Sequence, residues 1–353
     1  MIRFSASFSI DNRTIGPGYP PYIIAELSAN HGGDLGRALR IIELAAEAGA
    51  DAIKFQAYTP DCMTLDCDLP GFVIEGNSLW AGRRLYDLYT EAATPFDWFP
   101  ELYNHARKLG ITPLTTPFSK EAVEMLEEQN TPAYKIASFE AAHHELITAC
   151  AETGKPLLIS SGMCSKNEIE DALDIVHKTG TREVGVFRCN SGYPAKVHEA
   201  NLLAVPDMMA SFEIPVGFSD HTIGPAAAAA ACALGASMIE KHFIDSPEPP
   251  TVDSVFSMVP EELTALVQLC RQAHEARGEV LYGPFEHERG SLAFRRSLYA
   301  SSDIGEGGAL GPENVRCIRP GHGLHPRHYR EIMGRRVKKT LKFGEPISWD
   351  ALQ

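Results

Sequence analysis

One pattern recurs eight times between residues 22 and 278: a short apolar run that stops at a polar residue, then a stretch with apolar residues at helical spacing. The runs are YIIAE (22–26), DAIKFQ (51–56), ITPLTTPF (111–118), AYKIAS (133–138), PLLISSG (156–162), EVGVFRCNS (183–191), PVGFSDH (215–221) and ASMIEKHF (236–243). Runs this short and this apolar read as strands buried on both faces, and their alternation with helices reads as repeated βα units. The helical stretches carry their own signals. SKNEIEDALDIVHKTG (165–180) opens with a Ser–Lys–Asn–Glu capping box, and GPAAAAAACALGA (224–236) is rich in the best helix former. Eight such units predict a (β/α)8 barrel, the TIM-barrel architecture. A doubly wound sheet would want a glycine-rich phosphate turn after its first strand, and NHGG (30–33) lacks that fingerprint.

Outside the repeat, the first 21 residues read as a polar lead-in. The excursion from the second run to about residue 97 contains Trp80 and little strand pattern; a loop of that length in a compact domain is usually functional. The barrel is expected over 1–285, and 286–353 should be a linker and a small, turn-rich domain. A unit of that size buries too little surface to be comfortably stable unaided, and GPFEHERGS (283–291) reads as an extended connection. Eight cysteines without a CxxC read as reduced thiols; Cys62 and Cys67 flank a loop and are the one pair that could bridge. A net charge of −14 argues against a nucleic-acid surface. No apolar run is long enough to span a bilayer and the N-terminus lacks a signal-peptide core, so a cytoplasmic protein without a membrane partner is expected.

In a barrel of this kind the chemistry sits at the C-terminal strand ends. Those ends offer Glu26, Lys54 with Gln56, Thr115 with Thr116, Lys135 with Ser138 and Glu140, Ser160 with Ser161, Asn190 with Ser191 and Tyr193, Ser219 with His221, and His242. Any one of them is satisfied as a rim residue facing water. Together they exceed what a rim requires. Two lysines among hydroxyls and amides make a cradle for phosphate and carboxylate. Two neutral imidazoles hold a divalent cation with open positions for water or a carbonyl. Glu26 and Glu140 are placed to accept protons or orient hydroxyls. A desolvated lysine also suits a Schiff-base aldolase, but that mechanism uses no metal and the histidine pair counts against it.

The motifs IIAELSANHGG, DAIKFQAY, AYKIAS followed by Phe139 and Glu140, ISSGM, GFSDHT, and IEKHF with VDSVFSM resemble those of the sialic-acid (nonulosonic acid) synthases, enzymes that condense phosphoenolpyruvate with a sugar. The resemblance covers nearly the whole chain. Its tail from about Ser291 is similar to that family's SAF (antifreeze-like) domain, and LWAGRRLYDLYTEAATPFDWF (79–99) is similar to the insertion of the pseudaminic acid synthases. The resemblance implies that His221 and His242 ligate a divalent metal, Mn2+ with Mg2+ or Co2+ as alternatives. Lys54, Thr116, Lys135, Ser138, Ser160, Ser191 and Ser219 match positions that hold phosphoenolpyruvate. Gln56 belongs with the substrate-binding positions, and Glu26, Tyr193 and Asp253 with those facing the sugar. Glu26, Glu140 and His221 are assigned to the chemistry. Arg319, in the tail, matches an arginine that reaches the partner's site in a domain-swapped homodimer. The implied acceptor is 2,4-diacetamido-2,4,6-trideoxy-L-altrose; legionaminic and N-acetylneuraminic acid synthases share the chemistry, and a non-catalytic carbohydrate-binding protein is the reading from another class. Two departures stand out: Ser191 occupies a position where some relatives carry asparagine, and Asp253 lies in the proline-rich SPEPPTVDS (246–254).

Overall fold

The computed structural model describes residues 4–76 and 79–353. The eight apolar runs become eight parallel strands that close on themselves: β3 (Tyr22–Glu26), β4 (Ala52–Ala57), β5 (Thr112–Pro117), β6 (Tyr134–Ile136), β7 (Leu157–Ser160), β8 (Val184–Cys189), β9 (Val216–Asp220) and β10 (Met238–His242). The last strand pairs with the first, His242 opposite Glu26, which seals the barrel. The expected TIM barrel is present.

Each strand alternates between two apolar environments, as a pleat with both faces covered requires. Ile23, Ala25, Ile53, Phe55, Leu157, Ile159, Val184 and Val186 face outward into one large core with the helices. Ile24, Ala52, Leu114, Leu158, Phe187 and Met238 point inward and form a separate, smaller cluster. Gly217 makes room there, because a Cβ on it would come within 2.7 Å of the Phe187 ring. The helices that wrap the barrel are amphipathic for the usual reason. In α1 (Leu35–Glu47), Ala38, Ile41, Ile42 and Ala45 fall on one face and are buried, while Asp34 caps the start by accepting from the Arg37 amide.

The lead-in is not merely polar. Phe8–Ile10 (β1) and Arg13–Ile15 (β2) form an antiparallel hairpin, and Phe8, Ile10 and Ile15 join the inward cluster, so the hairpin stoppers the N-terminal end of the barrel. The long excursion is also more structured than its sequence suggested. It holds α2 (Pro60–Met63) and α3 (Leu85–Ala92), with a bridge between Val73 and Arg84.

A division by internal contacts falls between Gly278 and Glu279, rather than at 285/286. The second unit pairs β11 (Ser297–Ala300) with β12 (Val315–Ile318) and adds a short helix, Tyr329–Ile332. Leu298, Ile304, Val315, Ile332, Val337 and Ile347 give it an apolar core of its own, despite its size. The connection expected to be extended is instead a 3-10 helix over Glu286–Phe294. All eight cysteines are free, Cys62 and Cys67 included. No described helix is long and apolar enough to cross a membrane.

Candidate active site

At the C-terminal mouth of the barrel the inward positions turn from apolar to ionic. Lys54 and Lys135 lie almost fully buried on β4 and β6. Lys54 Nζ is 2.6 Å from Glu26 Oε2, an ion contact without hydrogen-bond alignment, and donates to Thr116 Oγ1 at 3.1 Å. Lys135 Nζ donates to Glu240 Oε2 at 2.9 Å and lies 4.7 Å from the centre of the Phe187 ring. Ser219 Oγ donates to the other Glu240 oxygen at 3.2 Å. The expected cradle is therefore not simply cationic: each lysine already has a carboxylate beside it. Burial alone would push Glu240 up, but the charges of Lys135 and Lys54 hold it down at about 2. Burial lowers Lys135, whereas Glu240 and Glu26 outweigh burial at Lys54 and raise it; burial raises Glu26. Charges this deep persist only as a mutually satisfied network.

Beside that network stand the two histidines, ring centres 5.3 Å apart. His221 Nδ1 is 2.7 Å from the Asn190 carbonyl oxygen, which only accepts, so Nδ1 carries a proton. Burial lowers His221, but Cys189 and that carbonyl outweigh burial and raise it, so Nε2 offers a lone pair in the neutral ring alone. Burial pulls His242 far below the ordinary histidine range, keeping it neutral, and its Nδ1 has no hydrogen-bond partner although Asp253 Oδ2 lies 3.8 Å away. Two imidazoles side by side, each with a ring nitrogen to offer in its neutral form, fit a divalent metal. Among the described residues no cluster of three or more His, Cys, Asp or Glu forms a ligand set, so the remaining positions would fall to water or substrate.

Two adjoining cavities open here. The smaller, about 50 Å³, is lined by Glu26, Lys54, Thr116, Lys135, Ser138, Ser160, Ser219, Glu240 and both histidines. The larger, about 340 Å³, shares Gln56, Tyr193 and His242 with it and adds Ser28, Glu140, Asp253 and a wall from the excursion. Gln56 donates to Glu26 Oε1 and Ser28 Oγ, both at 2.9 Å, and Ser28 donates to Asp253 at 2.6 Å. The Tyr193 ring leans on His221, centres 4.3 Å apart. Burial lifts the Glu140 carboxyl to about 7, and one of its oxygens is unpartnered. Ser191 lines neither cavity but a shallow depression with Arg188 and Asn190; its hydroxyl and that of Ser138 both crowd Gly162, which has no room for a Cβ. Arg319 belongs to the smaller unit, where it is exposed and lines a basic depression with Arg295, Arg296 and His325.

Some strand-end residues point away from the mouth. Thr115 meets the Tyr103 hydroxyl at 2.7 Å on the helix side, and Ser161 donates to the Phe187 carbonyl. Lys241 faces outward, where it donates to Asp220 Oδ2 at 2.8 Å and to the carbonyls of Thr222 and Gly224. Three residues of the mouth escaped the sequence reading: Glu240, Ser28 and Cys189. Strand parity could have found Glu240 and Cys189, because each lies two residues from an inward position, His242 and Phe187 respectively. Burial would raise the Cys189 thiol, yet His221, 4.0 Å away, brings it down to about 7.

Residues 41–282 match the model of the NeuB family, and residues 295–353 match the SAF domain. The chain belongs to the NeuB family. A pseudaminic acid synthase from Helicobacter pylori is 42% identical over 336 residues, 95% of this chain and 98% of the relative. An N,N'-diacetyllegionaminic acid synthase from Campylobacter jejuni is 32% identical over 329 residues, 92% of this chain and 98% of the relative. Among solved structures, the N-acetylneuraminic acid synthetase of Leptospira borgpetersenii, in complex with citrate, aligns with a TM-score of 0.73 and 32% identity, covering 83% of this chain and 97% of that one.

Proposed function

We propose that the chain is a pseudaminic acid synthase, condensing phosphoenolpyruvate with 2,4-diacetamido-2,4,6-trideoxy-L-altrose to give pseudaminic acid and inorganic phosphate. The observation that carries this reading is one mouth in which the Lys54–Lys135 network adjoins the His221–His242 pair. The choice of sugar is supported by the gap between 42% identity to a pseudaminic acid synthase and 32% to a legionaminic acid synthase.

In this reading Lys54 and Lys135 bind the phosphate and carboxylate, competing with Glu26 and Glu240 for the ammonium groups. Thr116, Ser138, Ser160 and Ser219, which line the smaller cavity, supply hydroxyl donors, and Ser191 outside it does not. Glu26, Gln56, Tyr193 and Asp253 orient the open-chain sugar. His221 and His242 would hold a divalent metal, Mn2+ or alternatively Mg2+ or Co2+, which when bound polarises the aldehyde. The enol-phosphate C3 forms the new bond to the aldehyde carbon, whose carbonyl electron pair takes up a proton. Water then adds to C2, its proton passing to Glu140, whose position near neutrality suits that transfer. The C2–O bond to phosphate breaks, the C2 hydroxyl loses its proton to the departing phosphate, and the 2-keto acid remains.

Arg319 completes the site across a homodimer, each small domain serving a second copy; its exposure and planar donor fork support that role. The reaction is cytoplasmic, in keeping with eight free cysteines. The test is mass spectrometry of products from phosphoenolpyruvate with the altro and manno diacetamido-trideoxyhexoses and N-acetylmannosamine, with and without a chelator. Consumption of the altro sugar, lost on chelation and restored by Mn2+, is expected. Turnover of either other sugar in its place would overturn the assignment.

A further inference from the structure

The larger cavity has two unlike sides. Ser28, Gln56, Glu140, Tyr193, His242 and Asp253 make one side polar. Met63, Ile74, Leu85, Leu88, Phe118 and Val252 supply an apolar part of the lining without a strong hydrogen-bonding group, alongside the rings of Tyr58, Trp80 and Tyr89. Four of the six come from the 58–98 excursion. Its wall is braced rather than draped. Leu88 is only 7% exposed on α3, and Tyr58 packs edge-on against Phe118 and Tyr89, centres 5.3 and 5.9 Å away. The Trp80 indole donates to the Val252 carbonyl at 3.1 Å, tying the excursion to the segment that carries Asp253.

From this we infer that the apolar wall is the specificity element of the reaction: it receives the methyl end of a 6-deoxy acceptor and rejects sugars with a hydroxymethyl group there. The inference rests on the synthase reading above. With the aldehyde end beside the histidines and phosphoenolpyruvate on the lysines of the smaller cavity, the sugar's tail extends into the larger one. A methyl group gains by burial against that wall. A hydroxyl against Ile74, Leu85 or Leu88 loses its water and finds no partner on those side chains. Discrimination of one such group by an apolar pocket amounts to about 10- to 100-fold.

The experiment compares kcat/KM for 2,4-diacetamido-2,4,6-trideoxy-L-altrose and its 6-hydroxy counterpart in the wild type and in Leu88→Gln and Ile74→Gln. Ile74 sits on a loop, so that variant tests the idea should Leu88→Gln fail to fold. The wild type should prefer the deoxy sugar by about 10- to 100-fold. Each variant should shrink that ratio several-fold, mainly through the sugar's KM, with the phosphoenolpyruvate KM unchanged. Turnover of both sugars at equal efficiency by the wild type, or an unchanged ratio in the folded variants, removes this proposal and leaves the synthase reading intact. No turnover of either sugar removes the synthase reading, and this proposal with it.

Discussion

Along the barrel strands an inward apolar position or, at Gly217, a gap that the Phe187 ring fills, precedes an inward polar one. Ile24 precedes Glu26, Ala52 precedes Lys54, Leu114 precedes Thr116, and Leu158 precedes Ser160; Phe187 precedes Cys189 and Met238 precedes Glu240. The lower layer is packed by the N-terminal hairpin and excludes water. The upper layer holds two lysines and two carboxylates in contact. One step along the pleat thus separates residues that hold the fold together from residues held in place by it. Burial is similar in both layers, so burial alone does not tell them apart; pairing and parity do.

The Lys241–Asp220 pair sharpens this comparison, because it lies at the height of the upper layer but on the outer face of the wall. Lys241 is 1% exposed and spans the two strand ends that carry His242 and His221. Lys241→Met leaves Asp220 buried and unpaired, which should cost about 3–5 kcal/mol of stability. Urea denaturation measures the loss, and a companion Asp220→Leu change should recover much of it. A stability close to wild type in Lys241→Met would mean that water reaches the pair.

A second contrast cuts between the layers themselves. Leu158→Ala, in the lower layer, should lose about 2–5 kcal/mol of stability while the phosphoenolpyruvate KM stays as it was. Lys135→Ala, in the upper layer, removes a charge-assisted donor worth about 1.5–3 kcal/mol, so kcat/KM for phosphoenolpyruvate should fall at least about tenfold. Measured together by denaturation and steady-state kinetics, Lys135→Ala alone should impair use of phosphoenolpyruvate, although it too loses stability because Glu240 stays buried with one cation fewer. If Leu158→Ala raised the KM as much as Lys135→Ala, the two layers would not be separable.

The smallest effect belongs to Glu140, which opens on the larger cavity. Its folded-state position of about 7 lies above the 4.5 of a free glutamate. Between those values the folded chain keeps a proton that the unfolded chain has lost, so this group lowers stability as pH rises through the window. The pH dependence of stability in Glu140→Gln should lack that downward slope relative to wild type. Parallel slopes would show that the carboxyl titrates normally.

The barrel was legible because eight strand–helix units announce themselves by apolar runs and caps, and the mouth was legible because strand ends are where such runs turn polar. What escaped did so for local reasons. Glu240 stands between Ile239 and Lys241 in a run whose polar residues face opposite sides of the wall, so composition cannot assign them. The hairpin was hidden by its serines, although Phe8 and Ile10 alternate before a turn at Asp11–Asn12, which is a hairpin signal. The apolar wall depends on how the excursion folds back, and no periodicity encodes that.

The hairpin that stoppers the barrel also makes traffic through it single-ended. Both reactants must use the same mouth, and the ionic chamber lies deeper than the apolar-walled one. On the proposed reaction, the enol-phosphate is expected to be seated before the sugar arrives, and inorganic phosphate to leave after the nine-carbon product. Such a queue turns a plug of three apolar side chains into a rule about order of binding and release.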